Sequence, residues 1–254
     1  MVIEFEQRGH VAVLTMNRPE ARNAINAAFA LEMEAAIDRI EADPDIWITV
    51  LTGAGSVFCA GADLKVVADG NVASIFTKRG GGGGIMKRER SKPLIAAVNG
   101  AAVAGGCEIV LACDLIVAAE SAVFGLFEVK RSLVAAGGGL FRLPRALGRQ
   151  IGMELILTGD TIAAARAYQL GMVNRVVPAD RLMDESMALA ERVCENAPLA
   201  VQESRLIAER AMAESEADLW QASDAALARV MQTEDFQEGP RAFVEKRAPV
   251  WKGR

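Results

Sequence analysis

Glu108 is the only charged residue between Lys92 and Asp114. The run around it, residues 93–114, reads Pro-Leu-Ile-Ala-Ala-Val-Asn-Gly-Ala-Ala-Val-Ala-Gly-Gly-Cys-Glu-Ile-Val-Leu-Ala-Cys-Asp. A lone carboxylate in so apolar a stretch is costly to bury without compensation. Leu94 to Val98 has the form of a short strand, Asn99-Gly100 is a turn signal, and Gly105-Gly106 opens a segment of helical length. Two readings of Glu108 stand side by side. As a first-turn acid it complements the positive end of a helix. Alternatively, Gly105 and Glu108, on one helical face, build a site. Glycine then lets a ligand approach the backbone, and free N–H groups at the helix start meet developing negative charge.

A second carboxylate, Glu128, lies in Phe124-Gly125-Leu126-Phe127-Glu128-Val129-Lys130-Arg131, just before Gly137-Gly138-Gly139. By itself it reads as an exposed loop acid paired with Lys130 or Arg131. The Gly- and Ala-rich stretch Gly53 to Lys65 follows a dense β-branched run, Ile46 to Leu51. Such small residues suit a ligand packed on backbone, and equally an ordinary loop.

Composition narrows the chemistry. A chain of 254 residues with 52% hydrophobic content suits one large domain, or a domain with a small appendage. A net charge of −5 argues against a general nucleic-acid binder. The cluster Lys87, Arg88, Arg90, Lys92 reads as a solvated face able to meet a phosphate-bearing ligand. Four cysteines without a Cys-x-x-Cys pair point to a reduced, cytoplasmic setting. The single histidine, His10, excludes metal sites built on several histidines, and no metal is expected. Nucleophile-elbow, dinucleotide and phosphate-loop patterns are all missing. The apolar stretch 93–107 is broken by Asn99 and glycines, so no membrane span is expected. With Glu4 and Glu6 early and no basic-then-apolar leader, no secretion signal is expected either.

The elements that must position these residues follow from periodicity. Strands are expected over 2–6 and 11–16. A helix capped by Asn26 runs to Ile40, with Phe29, Met33, Ala36, Ile37 and Ile40 on one face. A buried strand covers 46–51. Residues 66–92, with the glycine run 80–84, read as flexible structure around a pocket mouth. Strands are expected over 114–118 and 122–124, near each other, and over 172–177. Helices are expected over 148–157 and 162–170, then 180–196, 198–213, 216–232 and 236–246. Strand-strand-helix units recur loosely around 1–40, 46–70 and 94–112.

Several segments in register resemble the crotonase (enoyl-CoA hydratase/isomerase) superfamily. They are Phe58-Cys59-Ala60-Gly61-Ala62-Asp63-Leu64-Lys65, Lys92 to Gly100, Gly105-Gly106-Cys107-Glu108, Cys113-Asp114, Leu157 to Asp160, Ala167 through Asn174, and Glu245 to Pro249. The resemblance implies an α/β fold, the crotonase (ClpP-like) spiral of repeated strand-strand-helix units. It divides the chain into a spiral core, 1–195, and a helical oligomerisation region, 196–254. It implies a homotrimer or dimer of trimers, and an acyl-coenzyme A thioester as substrate. No separate cofactor is implied, since coenzyme A is part of the substrate. Fatty-acid β-oxidation is one setting for such chemistry.

By motif position, the resemblance places the thioester-oxygen donors on the Ala60 and Gly105 N–H groups. It places Gly61, Ala62, Asp63 and Leu64 along the thioester and coenzyme entry. Arg22 and Lys65 become coenzyme contacts, and Phe243 and Lys246 reach the adenine or phosphate end, often from a neighbouring subunit. Glu108 and Glu128 match the two glutamates of hydrating members. Water addition to an enoyl thioester builds charge on the thioester oxygen, which two N–H donors stabilise, each by about 3 kcal/mol. A base then activates water while an acid protonates the α carbon. Two carboxyls in one apolar pocket split their pKa values, which serves this division. Phe127 replaces the proline that commonly precedes the second glutamate, so a shifted Glu128 backbone is expected. With Lys130-Arg131 and the ending Pro249 to Arg254, the chain looks closer to the carnitinyl-CoA dehydratase-like branch than to general short-chain hydratases.

Overall fold

The computed structural model describes residues 1–254. Strands β1 (Ile3–Arg8) and β2 (Val11–Met16) form an antiparallel hairpin turning at Gly9. Asn26 accepts a bond from the Phe29 N–H, capping α1 (Ala27–Ala42), whose Phe29, Met33, Ile37 and Ile40 are buried. Next come β3 (Ile48–Gly53), β4 (Val57–Cys59) and α2 (Leu64–Ala68). A small hairpin, β5 (Phe76–Thr77) and β6 (Gly81–Gly82), precedes β7 (Leu94–Val98), β8 (Ala101–Val103) and α3 (Gly105–Leu111). Strands β9 (Leu115–Ala119) and β10 (Val123–Gly125) lead through a 3-10 turn, Glu128–Arg131, to α4 (Gly139–Leu147) and α5 (Arg149–Thr158). The chain closes with β11 (Thr161–Ala163), α6 (Ala164–Gln169), β12 (Arg175–Val177), α7 (Leu182–Cys194), α8 (Pro198–Arg210), α9 (Glu216–Val230) and α10 (Glu234–Glu245).

The pairs β3–β4, β7–β8 and β9–β10 each send their first strand to one sheet and their second to another, whereas β1 and β2 both lie in the larger sheet. The larger sheet has the order β1-β2-β3-β7-β9-β12, and the smaller β11-β10-β8-β4. In the smaller sheet β4, β8 and β10 run parallel. The loops that follow these three strands therefore leave the same edge, the usual place for a ligand site in such sheets. The main core, from Ile3 to Val173, contains Phe29, Phe58 and Phe124 at 0% exposure. Helix α7 covers the outer face of the larger sheet, packing Leu182 and Ala190 on Val50, Ile95 and Val117. Strands β3 and β7 are buried along their whole length, which accounts for the continuous apolar sequence of β7 and the β-branched run of β3.

Five expectations change. The glycine run is buried, not flexible: Gly80 to Gly84 all lie inside, and a β-carbon on Gly84 would overlap the Ala30 carbonyl of α1. Glycine is needed there for close approach, with φ +74° at Gly84. Of the basic cluster only Lys87 is exposed, and Arg88 pairs with Asp38. Lys92 donates to the Ile40 and Asp43 carbonyls at the end of α1, and Arg90, at 7% exposure, pairs with Asp114. Strand β10 pairs with β8 and β11, not with β9. Residues 161–163 form a strand where a helix start was expected, and α4 begins within the glycine triplet, where no helix was read.

Because Gly84 packs against backbone that cannot move aside, Gly84→Ala should cost about 3 kcal/mol or more of stability. Chemical denaturation checks this; a flexible loop would tolerate the change within about 0.5 kcal/mol.

Candidate active site

Strand β8 ends at Val103 and the chain turns into α3 through one residue. Ala104 makes that turn at φ 49°, ψ −128°, a conformation that costs an L-residue of order 1–3 kcal/mol. Its N–H donates to Gly125 O (2.8 Å), and its carbonyl accepts from the N–H groups of Cys107 (2.9 Å) and Glu108 (3.1 Å). The Gly105 N–H has no acceptor within the protein, and Gly105 lines a cavity of about 790 Å³.

Facing it, the chain after β4 runs past Ile25. Ile25 donates to Gly61 O (2.8 Å) and accepts from the Asp63 N–H (2.9 Å), an isolated parallel bridge. The intervening Ala62 N–H therefore points away from Ile25 and has no protein acceptor. Ala60 also lines the cavity, but its N–H is spent on Arg22 O (3.1 Å). Ala62, not Ala60, thus supplies the free donor on this wall. Gly61 does not line the cavity. It packs backbone to backbone on the Ala104–Gly105 turn: at φ +88°, a β-carbon there would lie 2.9 Å from Gly105 N.

One helical turn beyond Gly105, Glu108 points into the cavity at 5% exposure. Its Oε1 accepts from the Gly139 N–H (2.9 Å), the first of α4. Burial raises its pKa, and the Gly139 and Gly137 N–H groups and the Arg142 charge oppose that rise. The glycine triplet makes this possible. A β-carbon at Gly137 would lie 2.7 Å from Glu108 Oε2 and overlap Met86 Sδ, and one at Gly139 would lie 3.2 Å from Glu108 Cγ. The triplet is a cradle for Glu108.

Glu128 opens the 3-10 turn after β10 and also lines the cavity. Its Oε2 is buried without a hydrogen-bond partner. Burial first, and the charge of Glu108 as well, push its carboxyl up to about 7. It is not the exposed partner of a neighbouring cation: Lys130 pairs with Asp160 at 3.1 Å. Phe127 lines the cavity beside Glu128 and does not turn it away.

At the mouth, Arg22, Asp63, Leu64 and Lys65 all line the cavity. Asp63 caps α2 through the Lys65 N–H (3.2 Å) and pairs with Arg18 (3.2 Å). Arg22 and Lys65 are exposed and make no side-chain ion pair. Phe243 and Lys246 lie elsewhere, exposed at the end of α10, and are not brought to this cavity by the chain's own fold. Three contributors escaped sequence reading: Arg18, Met86 and Asn23. Asn23 is fully buried at φ 54°, and its amide donates to Ala54 O and Val57 O, fixing the Arg22 loop on the β3–β4 turn. An Asn inside the segment Asn17 to Ala24 was its only signal. No group of three His, Cys, Asp or Glu side chains converges to hold a metal ion.

Two unpaired backbone donors, one at a helix start, and two carboxyls, one buried and one with an enclosed oxygen, share one cavity and define a class: enzymes that stabilise an oxyanion while moving protons. Comparison with known proteins narrows this. A family model described as Enoyl-CoA hydratase/isomerase matches residues 6–254. The chain is 43% identical to enoyl-CoA hydratase EchA19 of Mycobacterium tuberculosis, over 98% of this chain and 96% of that one. It is 39% identical to a carnitinyl-CoA dehydratase of Proteus mirabilis, over 99% and 98%. A crystal structure of an enoyl-CoA hydratase from Mycobacterium tuberculosis superimposes with a TM-score of 0.95 at 43% identity, covering 100% of this chain and 99% of that one. The chain belongs to the enoyl-CoA hydratase/isomerase family, the crotonase superfamily, and has its fold.

The fit of Glu108 into its cradle gives a direct test. Gly137→Ala should displace the carboxylate and cut kcat about 100-fold, with circular dichroism unchanged. Full activity in this variant would mean the cradle does not matter.

Proposed function

We propose that this enzyme adds water reversibly to 2-enoyl-CoA thioesters, with Glu108 as base and Glu128 as acid. The observation that carries the reading is the convergence of two carboxyls of unlike environment on a cavity holding two unpaired backbone N–H groups. Glu108, held by N–H groups and a cation, is the better carboxylate. Glu128, lacking a partner, keeps its proton to higher pH.

Glu108 takes a proton from water as the water oxygen bonds to the β carbon. The electron pair moves onto the thioester oxygen, where the Ala62 and Gly105 N–H groups receive it. Collapse of the enolate takes the Glu128 proton at the α carbon, and after product leaves, proton exchange with solvent returns Glu108 to the carboxylate and Glu128 to the acid. Dehydration is the same path reversed, so a carnitinyl-CoA-like dehydratase is the same machinery working on another acyl group. A double-bond isomerase needs only one carboxyl, and the paired carboxyls favour hydration over it. Arg22 and Lys65 meet coenzyme A phosphates at the mouth, and acyl-CoA metabolism such as fatty-acid β-oxidation is the setting.

Helices α8 to α10 fit a trimer or dimer of trimers. They expose Trp220 (69%), Leu227, Met231, Phe243 (85%) and Val244, more apolar surface than a lone helical layer keeps in water. In such an assembly Phe243 and Lys246 serve a neighbour's coenzyme site. Residues 196–254 then act as the oligomerisation region of a spiral core over 1–195.

Glu108→Gln and Glu128→Gln should each lower kcat for crotonyl-CoA hydration about 100- to 10,000-fold, followed by loss of the conjugated absorbance. Near-native activity of Glu128→Gln on a 3-enoyl-CoA would support isomerisation instead. Binding without turnover would mean an acyl-CoA carrier. Native kcat should fall as pH rises through about 7, where Glu128 gives up the proton it must deliver. It should fall again on the acid side as Glu108 is protonated. The pair titrates as a unit, so the profile is a bell.

A further inference from the structure

Arg142, on α4, reaches back toward the cavity without lining it. Its Nη1 donates to Met86 O (2.9 Å) and to Gly137 O (3.4 Å). Those two carbonyls belong to segments distant in sequence that touch at the cavity: Met86 follows the buried glycine run, and Gly137 begins the cradle under Glu108. Between Gly137 and Gly139, Gly138 makes room for the guanidinium, since a β-carbon there would lie 2.8 Å from Nη1. One cation therefore joins these two segments and sits behind the loop whose N–H groups hold Glu108. We propose that Arg142 is a positioning residue for hydration, fixing the Met86 and Gly137 carbonyls so that Glu108 stays an oriented carboxylate. This rests on the reading of Glu108 as the base.

The surrounding charges leave Arg142 free for this task. Glu209 on α8 and Arg90 face it with opposite effects, and Glu108 faces it from α3. Arg90 is already paired with Asp114 at 2.6 Å, and Glu209 with Arg205 at 2.9 Å. Burial pushes the nearby Cys113 thiol up to about 12, so it stays neutral. Glu128 is the remaining titratable group that senses Glu108 across the cavity.

Arg142→Gln and Arg142→Lys separate the two tasks of the guanidinium. The Glu108 carboxylate band, isolated by infrared difference against Glu108→Gln, should titrate about one pH unit higher in Arg142→Gln than in the native enzyme. Its kcat should fall about 100-fold with KM little changed, and the acid limb of the pH profile should move up. Arg142→Lys should keep the native Glu108 midpoint but lose kcat, because a point charge cannot hold two carbonyls as the planar fork does. An unchanged Glu108 midpoint and pH profile in Arg142→Gln, with loss only of thermal stability, would overturn the proposal. So would native kcat in Arg142→Lys, which also decides the matter should Arg142→Gln fail to fold. The infrared titration needs no turnover. A native enzyme that fails to hydrate therefore defeats the hydratase reading without touching the Arg142 result.

Discussion

A carboxylate taken out of water must be solvated by protein, and the structure is built around doing this for Glu108. Its substitutes for water are the first N–H of α4 and the positive end of that helix. Reaching them demands that three consecutive residues lack side chains. Gly137 and Gly139 leave space for the carboxylate, and Gly138 turns the backbone at φ +109°. Demand then propagates outward. Helix α3 must start at a fixed point, so Ala104 carries a strained turn held by Gly125 O of β10. Gly61 must lie flat against that turn, which in turn aims the Ala62 N–H into the cavity.

The repeat architecture makes these demands compatible. Three parallel strands of the smaller sheet, β4, β8 and β10, end side by side. Their following loops deliver Ala62, Gly105 and Glu128 to one edge, although the residues are far apart in sequence. The larger sheet and α7 contribute no cavity residue. Their task is to fix the spiral so that the second strands stay in register.

Much of this was legible in the residues. Periodicity located β1, α1 and the helices from α7 onward within a few positions, and a continuous apolar run located β2. Glu108 was conspicuous as the lone charge in an apolar run. What stayed hidden was close backbone packing, which leaves only glycine as a trace. Glycine marks mobility and tight contact alike, so Gly80 to Gly84 and Gly137 to Gly139 read as loops. Which N–H is free is equally invisible, since it depends on hydrogen bonds made across the fold. Motif position pointed to Ala60, whose N–H Arg22 O occupies, while the parallel bridge of Ile25 frees its neighbour two residues on. Buried cations were misread for a related reason. Arg90 and Lys92 look solvated in sequence because their acceptors, Asp114 and the α1 carbonyls, come from distant segments.

Two glutamates with one side-chain chemistry acquire different tasks from these neighbours alone. Glu108 is buried but hydrogen-bonded, and cationic charge lies behind its cradle. Glu128 is less buried as a residue, yet one oxygen is enclosed with nothing to bond. An unpartnered oxygen favours the protonated form, and the nearby charge of Glu108 reinforces that preference. The asymmetry is self-supporting: the better Glu108 is held as a carboxylate, the more firmly Glu128 keeps its proton. An enclosed, unsatisfied oxygen destabilises the fold by an amount of order 1–3 kcal/mol. A chain selected for stability alone would place a partner there. Its persistence beside two unpaired N–H groups marks a cavity shaped for a bond-making event rather than for the resting fold.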